Sequence, residues 1–337
     1  MASTIKDIQK RTGLGLATIS KYLNGGNVRP ENKKAIDDAV AALHFTVNTF
    51  ARSMKTKRSY TIGVVIPELG NVFITSIITY VEDILRKQGY AVIVCDCRSD
   101  GEREKDVVRF LIQKHVDGIL NMPTCPDGEH LKPALEAGVP VVLLDRMIRR
   151  LSGKVSAVLV DNEDAAHQAA VALLDAGHRD IGIILGPEQI FTTARRRAGY
   201  LEALEEHGLK ARNDLILYSN YNLDGGYESM MKLMRLAQRP TAVFVTNYEM
   251  TIGAMIALNA AGLSVPGDVS FIGFDKQQLF QMVYPDMTVV VQPQDAIAAS
   301  AARLVLAAVE EGDQFIPQTV TLTARLQAGK SVRSLAE

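Results

Sequence analysis

From Tyr60 onward, short apolar runs alternate with longer amphipathic segments. The apolar runs lie at 61–66, 91–95, 118–120, 141–144, 157–160, 181–184, 215–218, 242–245, 270–274 and 288–291. Segments with helical spacing separate most of them, at 74–88, 102–114, 163–176, 194–207, 225–236, 249–261 and 294–311. This alternation predicts an α/β fold with parallel sheets covered by helices. Near-continuous Val and Ile runs fit strands buried on both faces, and ten strands favour two doubly wound lobes over one.

The N-terminal residues show a different pattern, that of three short helices. Thr4 can cap a helix that begins at Ile5, and the Gly13-Leu14-Gly15 turn ends it. A second helix is predicted over 16–23, and Pro30 suits the first turn of a third helix. Three short helices with a tight turn between the first two predict a helix-turn-helix domain.

In a helix-turn-helix unit, the second helix enters the major groove of DNA with its N-terminal side chains. Leu16 and Ala17 can make only apolar contacts, for example with a thymine methyl group, whereas Lys21 can reach a guanine edge or a phosphate. The other polar side chains suit phosphate contacts, and simple exposure is the alternative for each. The candidate DNA contacts in this unit are Thr4, Leu16, Ala17, Thr18, Ser20, Lys21 and Asn24.

Residues 48–58, with the sequence NTFARSMKTKR, predict a conditional helix beside a basic tether. Asn48 can cap this helix, and Phe50 and Met54 share one side at i, i+4. A helix this short is unstable alone in water, so the segment fits a hinge that orders on DNA. The alternative is a linker helix that acts only as a spacer. The candidate DNA contacts here are Asn48, Arg52, Met54 and Lys55.

The charge of the chain is divided unevenly between its two parts. Residues 1–58 carry eleven Lys/Arg against four Asp/Glu, a formal charge of +7, and the remainder carries −8. This asymmetry indicates a nucleic-acid contact confined to the N-terminal end. A solvated charged surface is the alternative, but the cationic part coincides with the helix-turn-helix pattern.

Composition narrows the class of protein further. No run of about 18 apolar residues occurs, so no membrane span is expected. The N-terminus lacks the apolar region of a secretory signal. The three cysteines, Cys95, Cys97 and Cys125, have no zinc-like spacing, which favours free thiols in a reducing, cytoplasmic environment.

Enzymatic readings of the sequence find no support. The chain contains no G-x-S-x-G elbow, no phosphate-binding G-x-x-x-x-G-K-[ST] loop and no H-E-x-x-H pair. Its six histidines show no metal-ligand spacing. We therefore expect a protein that is not an enzyme and that uses no cofactor and no metal.

Polar and aromatic side chains follow the ends of several predicted strands, where ligands bind in open α/β sheets. Carboxylates, amides, an arginine and aromatic faces together suit a polyhydroxylated small molecule. Helix capping is the alternative for each residue and is favoured for Asp161 and Asn162. The candidate ligand residues at strand ends are Phe73, Asp145, Arg146, Asn247, Tyr248 and Asp275.

Three consecutive arginines, Arg195, Arg196 and Arg197, open the helix predicted over 194–207. A rotation of about 100° per residue prevents all three from facing one cleft. We expect one to face the ligand and the other two to face solvent or acids. An anionic ligand, such as a sugar acid or sugar phosphate, remains a second possibility.

The chain resembles the lactose/galactose repressor (LacI/GalR) family of bacterial transcription regulators. The resemblance covers the chain from about Ile5 to Val332. Its motifs are TIKDIQKRTGLGLATISKYLNG at 4–25, NTFARSMKTKRSYTIGVVIPELGNVF at 48–73, VDGIL at 116–120, AGHRDIGIILG at 176–186, RPTAVFVTNYEMTIGAMIAL at 239–258 and VPGDVSFIGFD at 265–275.

The resemblance implies a homodimer that binds a pseudo-palindromic operator in double-stranded DNA. It implies that Leu16, Ala17 and Lys21 read bases, although the family more often has arginine at the last position. It also implies a hinge helix with a minor-groove wedge, usually leucine, at Met54. An apolar wedge can unstack a base step, and methionine is the more flexible side chain.

The resemblance further implies a periplasmic-binding-protein-like core whose two lobes close on an effector, with Arg196 added to the ligand residues. The family often has Asn-Asp where this chain has Asn247-Tyr248. The implied organisation is a DNA-binding domain at 1–46, a hinge at 47–59 and a core at 60–337. The core divides into an N-lobe of about 60–160 plus 291–320 and a C-lobe of about 161–290 plus 321–337.

The predicted function is therefore a repressor of carbohydrate metabolism genes, acting in the cytoplasm at the bacterial nucleoid and controlled by a sugar-like effector. The resemblance favours an inducer, and the lack of a C-terminal leucine heptad favours a dimer. The main alternative is a solute-binding protein of a sugar transporter, which would need export and would have no use for a basic head. A sugar-modifying enzyme would need a catalytic constellation that the sequence lacks.

Overall fold

A computed structural model of the chain describes residues 3–23, 26–45, 58–275 and 286–335. It divides the protein into two compact units, Met1–Ser59 and Tyr60–Glu337. The first unit is called the head below, and the second unit is called the core.

The described part of the head contains the three helices that the sequence predicts: α1 (Ile5–Thr12), α2 (Leu16–Leu23) and α3 (Pro30–Ala42). Each helix contributes apolar side chains to one small cluster, in which Ile8, Ile19 and Ile36 are fully buried. Gly13 ends α1 in the left-handed conformation, at φ 68°, which glycine adopts without strain. At the start of α1, Asp7 Oδ2 accepts hydrogen bonds from the backbone N–H and the hydroxyl of Thr4. These features fix where α1 begins and ends.

The core alternates strands with helices along most of its length. Its strands are β1 (Thr61–Ile66), β2 (Ala91–Asp96), β3 (Gly118–Asn121), β4 (Val141–Leu144), β5 (Ser156–Val160), β6 (Ile181–Leu185), β7 (Ile216–Tyr218), β8 (Ala242–Val245), β9 (Ser270–Phe274), β10 (Thr288–Val291), β11 (Thr319–Leu322) and β12 (Arg325–Gln327). Its α-helices are α4 (Val72–Lys87), α5 (Gly101–Gln113), α6 (Lys132–Glu136), α7 (Asn162–Asp175), α8 (Phe191–Glu206), α9 (Leu223–Met234), α10 (Tyr248–Ala260) and α11 (Gln294–Glu311).

The strands form two six-stranded sheets, one in each lobe of the core. The order in the first sheet is β11-β5-β4-β3-β1-β2, and the order in the second is β12-β10-β9-β8-β6-β7. All pairings in the first sheet are parallel, with Val64 of β1 opposite Val94 of β2 and Leu120 of β3. In the second sheet only the β10–β12 pairing is antiparallel. The central strands are buried on both faces, as their Val and Ile runs predict.

The predicted two-lobed, doubly wound fold is confirmed, and each of the ten predicted strands is present. The pattern of apolar runs did not predict β11 and β12, because these edge strands have half-exposed, alternating residues. It also missed the short helix α6. The chain leaves the first sheet after Leu322 and joins the second sheet at Arg325.

We predict that Gly199→Ala destabilises the core. A Cβ atom at this position of α8 would lie 1.9 Å from the backbone oxygen of Glu163 in α7. Because backbone cannot swing aside as a side chain can, the two helices must separate, at a cost of about 2 kcal/mol or more. Thermal unfolding should show a melting temperature lowered by at least about 4 °C. Glu202→Ala on the exposed face of α8 is the control, and equal melting temperatures for both variants would contradict the packing argument.

Candidate functional site

A cavity of about 280 Å³ lies between the two lobes of the core, at the carboxyl ends of the strands. This is where the strand-end rule places ligand sites in open α/β sheets. The first lobe contributes Pro67, Glu68, Asn71, Phe73, Ile74, Ser99, Met122, Thr124, Asp145 and Arg146. The second lobe and its connection contribute Pro187, Gln189, Ile190, Thr192, Arg196, Asn220, Tyr221, Asn247, Asp275 and Gln292.

An acid–arginine pair forms one wall of the cavity in the first lobe. Asp145 follows β4 directly and adopts a left-handed backbone conformation, at φ 62°. Its Oδ2 lies 3.6 Å from Nε of Arg146, whose Nη1 donates a hydrogen bond to the backbone oxygen of Pro123, 3.0 Å away. Strained, non-glycine backbone of this kind concentrates at functional sites. The turn therefore holds both charged groups at the end of the strand.

Arg196 forms the matching wall in the second lobe and is almost fully buried. Its Nε donates to Asn162 Oδ1 at 2.7 Å, and its Nη1 donates to the backbone oxygen of Thr246. The guanidinium carbon lies 3.9 Å from the ring centroid of Phe274. Arginine suits this position because its planar group can stack on an aromatic ring and donate hydrogen bonds from its edge at once.

Asp275 ends β9 in the same way that Asp145 ends β4. It too is left-handed, at φ 64°, and it is 4% exposed. Burial raises the pKa of its carboxyl to about 7, against the opposing effects of Arg196 and of a hydrogen bond from Gln292. That bond runs from Gln292 Nε2 to Asp275 Oδ1 and measures 2.7 Å. The carboxyl group can thus change protonation near neutral pH.

Three buried polar atoms of the cavity residues have no hydrogen-bond partner within the described ranges. They are Asp145 Oδ1, Arg146 Nε and Gln292 Oε1. An unpaired buried polar atom costs about 1–3 kcal/mol, so proteins rarely keep several in one place without a function. One carboxylate oxygen, one N–H donor and one amide oxygen match the alternating donors and acceptors of a hydroxyl-rich molecule.

Among the described residues of the core, two aromatic side chains line the cavity, one from each lobe. Phe73 belongs to the first turn of α4, and Tyr221 follows β7. The hydroxyl group of Tyr221 lies 2.7 Å from Thr193 Oγ1, and its ring occupies the space that a Cβ on Gly186 would fill. The ring is therefore fixed in place and offers a flat apolar surface to a ligand.

Of the seven predicted ligand residues, six line the cavity: Phe73, Asp145, Arg146, Arg196, Asn247 and Asp275. Tyr248 does not. Asn247 caps α10 by accepting from the N–H of Met250 at 2.8 Å, and Tyr248 is the first residue of the helix. Its side chain packs against the apolar cluster of the second lobe instead, because one helical step turns it away from Asn247.

The structure also shows whether Asp161 and Asn162 act as helix caps and how the neighbouring arginines divide. Asp161 caps α7 by accepting from the N–H of Asp164 at 3.1 Å, whereas Asn162 holds Arg196. Arg195 is exposed and pairs with Glu163 at 2.8 Å. Arg196 thus lies at the cavity and Arg195 contacts an acid, as expected, whereas Arg197 is half-buried.

In the head, the N-terminal half of α2 presents candidate DNA contacts to the surface. Leu16 is 39% exposed, Ala17 and Lys21 are exposed, and Thr18 and Ser20 are half-buried. Ala17, Thr18 and Lys21 line a groove with residues at the start of α3, among them Asn27 and Arg29. Thr4 is exposed at the start of α1. The predicted contacts Asn24, Asn48, Arg52, Met54 and Lys55 lie outside the described residues.

One group of side chains in the described part of the chain has metal-ligand geometry. Ligand atoms of Glu104, Cys125 and His130 lie within 4.8 Å of one another. The carboxylate of Glu104 already accepts hydrogen bonds from the N–H groups of Thr124 and Cys125 and from Asn121 Nδ2. We interpret the group as an anchor that holds the loop carrying Pro123 and Thr124 at the cavity.

The state of the cysteines agrees with the prediction from the sequence. All three cysteines are free, and burial is the main reason that the pKa of the Cys125 thiol rises to about 12. Across the described residues, no helix has the length and apolar character needed to cross a bilayer.

Several cavity residues escaped the sequence reading. Tyr221 and Gln292 follow β7 and β10, so the strand-end rule could have found both. Thr192 lies at a helix start, where capping is the simpler interpretation. Glu249, described below, gave no signal, because its partners lie 177 and 178 residues away.

The fold and the cavity define a ligand-binding, two-lobed protein that also carries a helix-turn-helix head. A model of the periplasmic binding protein-like domain matches residues 170–332. Catabolite control protein A of Priestia megaterium is 34% identical over 90% of this chain and 92% of its own length. The transcriptional regulator CelR in complex with cellobiose is 28% identical, with a TM-score of 0.74 over 98% of this chain and 99% of its own.

A structure of the lac repressor dimer bound to operator and the anti-inducer ONPF shares the fold, with a TM-score of 0.87 at 22% identity over 99% of this chain and all of its own. The chain belongs to the LacI/GalR family of transcriptional regulators. These relatives are regulators of transcription, so the alternative of a transporter's solute-binding protein is not favoured. None of these relatives is an enzyme.

We predict that Asp275→Asn alters the pH dependence of stability. Because the folded pKa of about 7 exceeds the ordinary 3.8, the folded protein retains a proton that the unfolded chain loses. The stability contributed by this group therefore falls as the pH rises between these values. In urea unfolding, the stability of wild type relative to Asp275→Asn should decrease from about pH 4.5 to 7 and then level off. A stability difference for Asp275→Asn that does not change with pH would contradict the raised pKa of Asp275.

Proposed function

We propose that the protein is a sequence-specific repressor of carbohydrate metabolism genes, controlled by a small, sugar-like effector bound between the two lobes of the core. It acts as a homodimer on a pseudo-palindromic operator in the cytoplasm. The effector changes the relative population of two core conformations, and the hinge at 47–59 transmits that change to the DNA-binding head.

The observation that carries the proposal is the pair of acid–arginine walls around one cavity. Asp145 and Arg146 come from the first lobe, and Arg196 and Asp275 come from the second. A ligand that contacts both walls stabilises the closed arrangement of the lobes over any open one. Differential affinity of this kind is what an effector needs in order to shift a conformational equilibrium.

The chemistry of the cavity favours a small polyhydroxylated effector. Carboxylates and guanidinium groups form bidentate hydrogen bonds with neighbouring hydroxyls, and Phe73 and Tyr221 supply apolar surface for the face of a sugar ring. The volume of about 280 Å³ is near the lower end of ligand pockets, about 300 Å³. The similarity to CelR, whose structure contains cellobiose, supports the same class of ligand.

The head supports DNA recognition by the second helix of a helix-turn-helix. Leu16 and Ala17 can contact thymine methyl groups, and Lys21 can contact a guanine edge or a phosphate. We propose Met54 as the minor-groove wedge. The proposed contacts to the DNA phosphate backbone are Thr4, Thr18, Ser20, Asn24, Asn48, Arg52 and Lys55. In this proposal the head and hinge carry the +7 charge that attracts phosphates.

We predict that Arg196→Ala abolishes the effector response and leaves operator binding intact. A thermal-shift screen of sugars, sugar acids, sugar phosphates and nucleobases first identifies a ligand that stabilises the wild type. Operator DNA selected from random sequence then provides a gel-shift assay with and without that ligand. Loss of the buried guanidinium should weaken ligand binding by at least about tenfold, as for other hydrogen bonds to charged groups.

Arg195→Ala is the matched control, since Arg195 is the neighbouring residue of α8 and contacts Glu163 at the surface. This variant should keep both the ligand response and operator binding. If Arg196→Ala lost operator binding without ligand, Arg196 would be a structural residue. If it kept the full ligand response, the effector would bind elsewhere.

A further inference from the structure

The carboxylate of Glu249 joins the two lobes at the edge of the cavity. Glu249 lies in the first turn of α10, in the second lobe. Its Oε2 accepts a hydrogen bond from Asn71 Nδ2, 3.1 Å away, at the start of α4 in the first lobe. Its Oε1 accepts from the backbone N–H of Val72, 3.3 Å away. Both bonds cross the cleft.

The same carboxylate also contacts its own lobe. Oε2 accepts a second hydrogen bond from Asn247 Nδ2 at 2.6 Å. Asn71 and Asn247 are the caps of α4 and α10, with side-chain oxygens that accept from the N–H groups of Ile74 and Met250. The carboxyl group of Glu249 therefore lies between the N-termini of two helices. Burial raises its pKa, and the hydrogen bonds that it accepts from Val72 and Asn247 oppose that rise.

The helix that carries Glu249 is held firmly against the second lobe. A Cβ on Gly253 of α10 would lie 1.9 Å from the backbone oxygen of Leu223 in α9. Packing this close leaves α10 little freedom to slide or tilt. A hydrogen bond between Glu249 and α4 therefore restrains the whole second lobe against the first, instead of being absorbed by local movement.

We propose that Glu249 is a latch that holds the two lobes closed over the cavity and so sets how much of the closed form exists before any effector binds. The latch is not in contact with the cavity contents in this structure; Glu249 acts through Asn71 and Asn247, which line the cavity. It is a positioning residue for effector binding. Because apparent affinity scales with the fraction of competent, closed protein, the latch tunes the sensitivity of the switch.

The role of the latch in effector sensitivity rests on the proposed function, whereas its role in closing the lobes does not. Closure itself is measured on the full-length protein without effector and without DNA. If the latch test fails, the test of the proposed function with Arg196→Ala still stands. If the effector screen fails, the measurement of closure is still valid.

The test exchanges the hydrogen-bond donor and the acceptor between positions 71 and 249. Asn71→Asp keeps the helix cap but places a second carboxylate opposite Glu249, so it breaks the latch. Glu249→Gln removes the charge and turns a donor toward the donors of Asn71 and Val72, so it also breaks the latch. In the double variant, the amide introduced at 249 can donate to the carboxylate introduced at 71, which restores a bridge.

Hydrogen–deuterium exchange of residues 186–190 reports closure, since this loop borders the cavity and is remote in sequence from both substitutions. We expect exchange in this loop to quicken about fivefold in each single variant, the factor that corresponds to one net hydrogen bond. The double variant should return to within about twofold of wild type, since it regains that bond.

Glu228→Gln is the matched control, because it removes the same charge from an exposed position of the same lobe. It should exchange as wild type does. Glu249→Asp, which keeps the charge but shortens the reach, should behave as the single variants do and serves if one of them fails to fold. Single variants that exchange like wild type, or a double variant as open as the singles, would overturn the latch.

Discussion

The buried guanidinium of Arg196 is the interaction on which the second lobe's side of the cavity depends. It bonds Asn162 just after the crossover from β5, bonds the backbone at the end of β8, and stacks on Phe274 at the end of β9. Three segments far apart in sequence thus converge on one group. A buried cation needs such compensation, because unpaired charge is costly in a protein interior. Burial raises the pKa of the nearby Asp275 carboxyl to about 7, and the charge of Arg196 limits that rise.

The geometry of the core makes this site dependent on how the lobes are arranged. Parallel strands in both sheets end at the cleft, so that each lobe brings one acid and one arginine to it. Neither pair alone encloses a ligand. In the proposed mechanism the latch at Glu249 and the effector act on the same equilibrium: one supplies a fixed part of the closure free energy, and the other supplies the part that varies with metabolite concentration. A switch built in this way responds to its effector by a shift in population.

Much of this arrangement followed from sequence pattern, and the exceptions have physical reasons. Buried parallel strands are continuous apolar runs, so all ten were predictable, and a rule about strand ends located Asp145, Arg146, Asn247 and Asp275. The edge strands β11 and β12 escaped, because half-exposed strands alternate and resemble loops. Tyr248 was placed at the cavity by adjacency, although the first helical step turns it away. Glu249 could not be predicted, since a contact across 178 residues depends on the packing of two lobes.

The central claim is that the cavity and the DNA-binding head are coupled within one molecule. The most direct test measures the effector Kd with and without saturating operator, and the operator Kd with and without saturating effector, on the full-length protein. Linkage requires the two ratios to be equal, and the account predicts a common factor of at least about fivefold. An effector Kd that is the same in the presence and absence of operator would contradict the account.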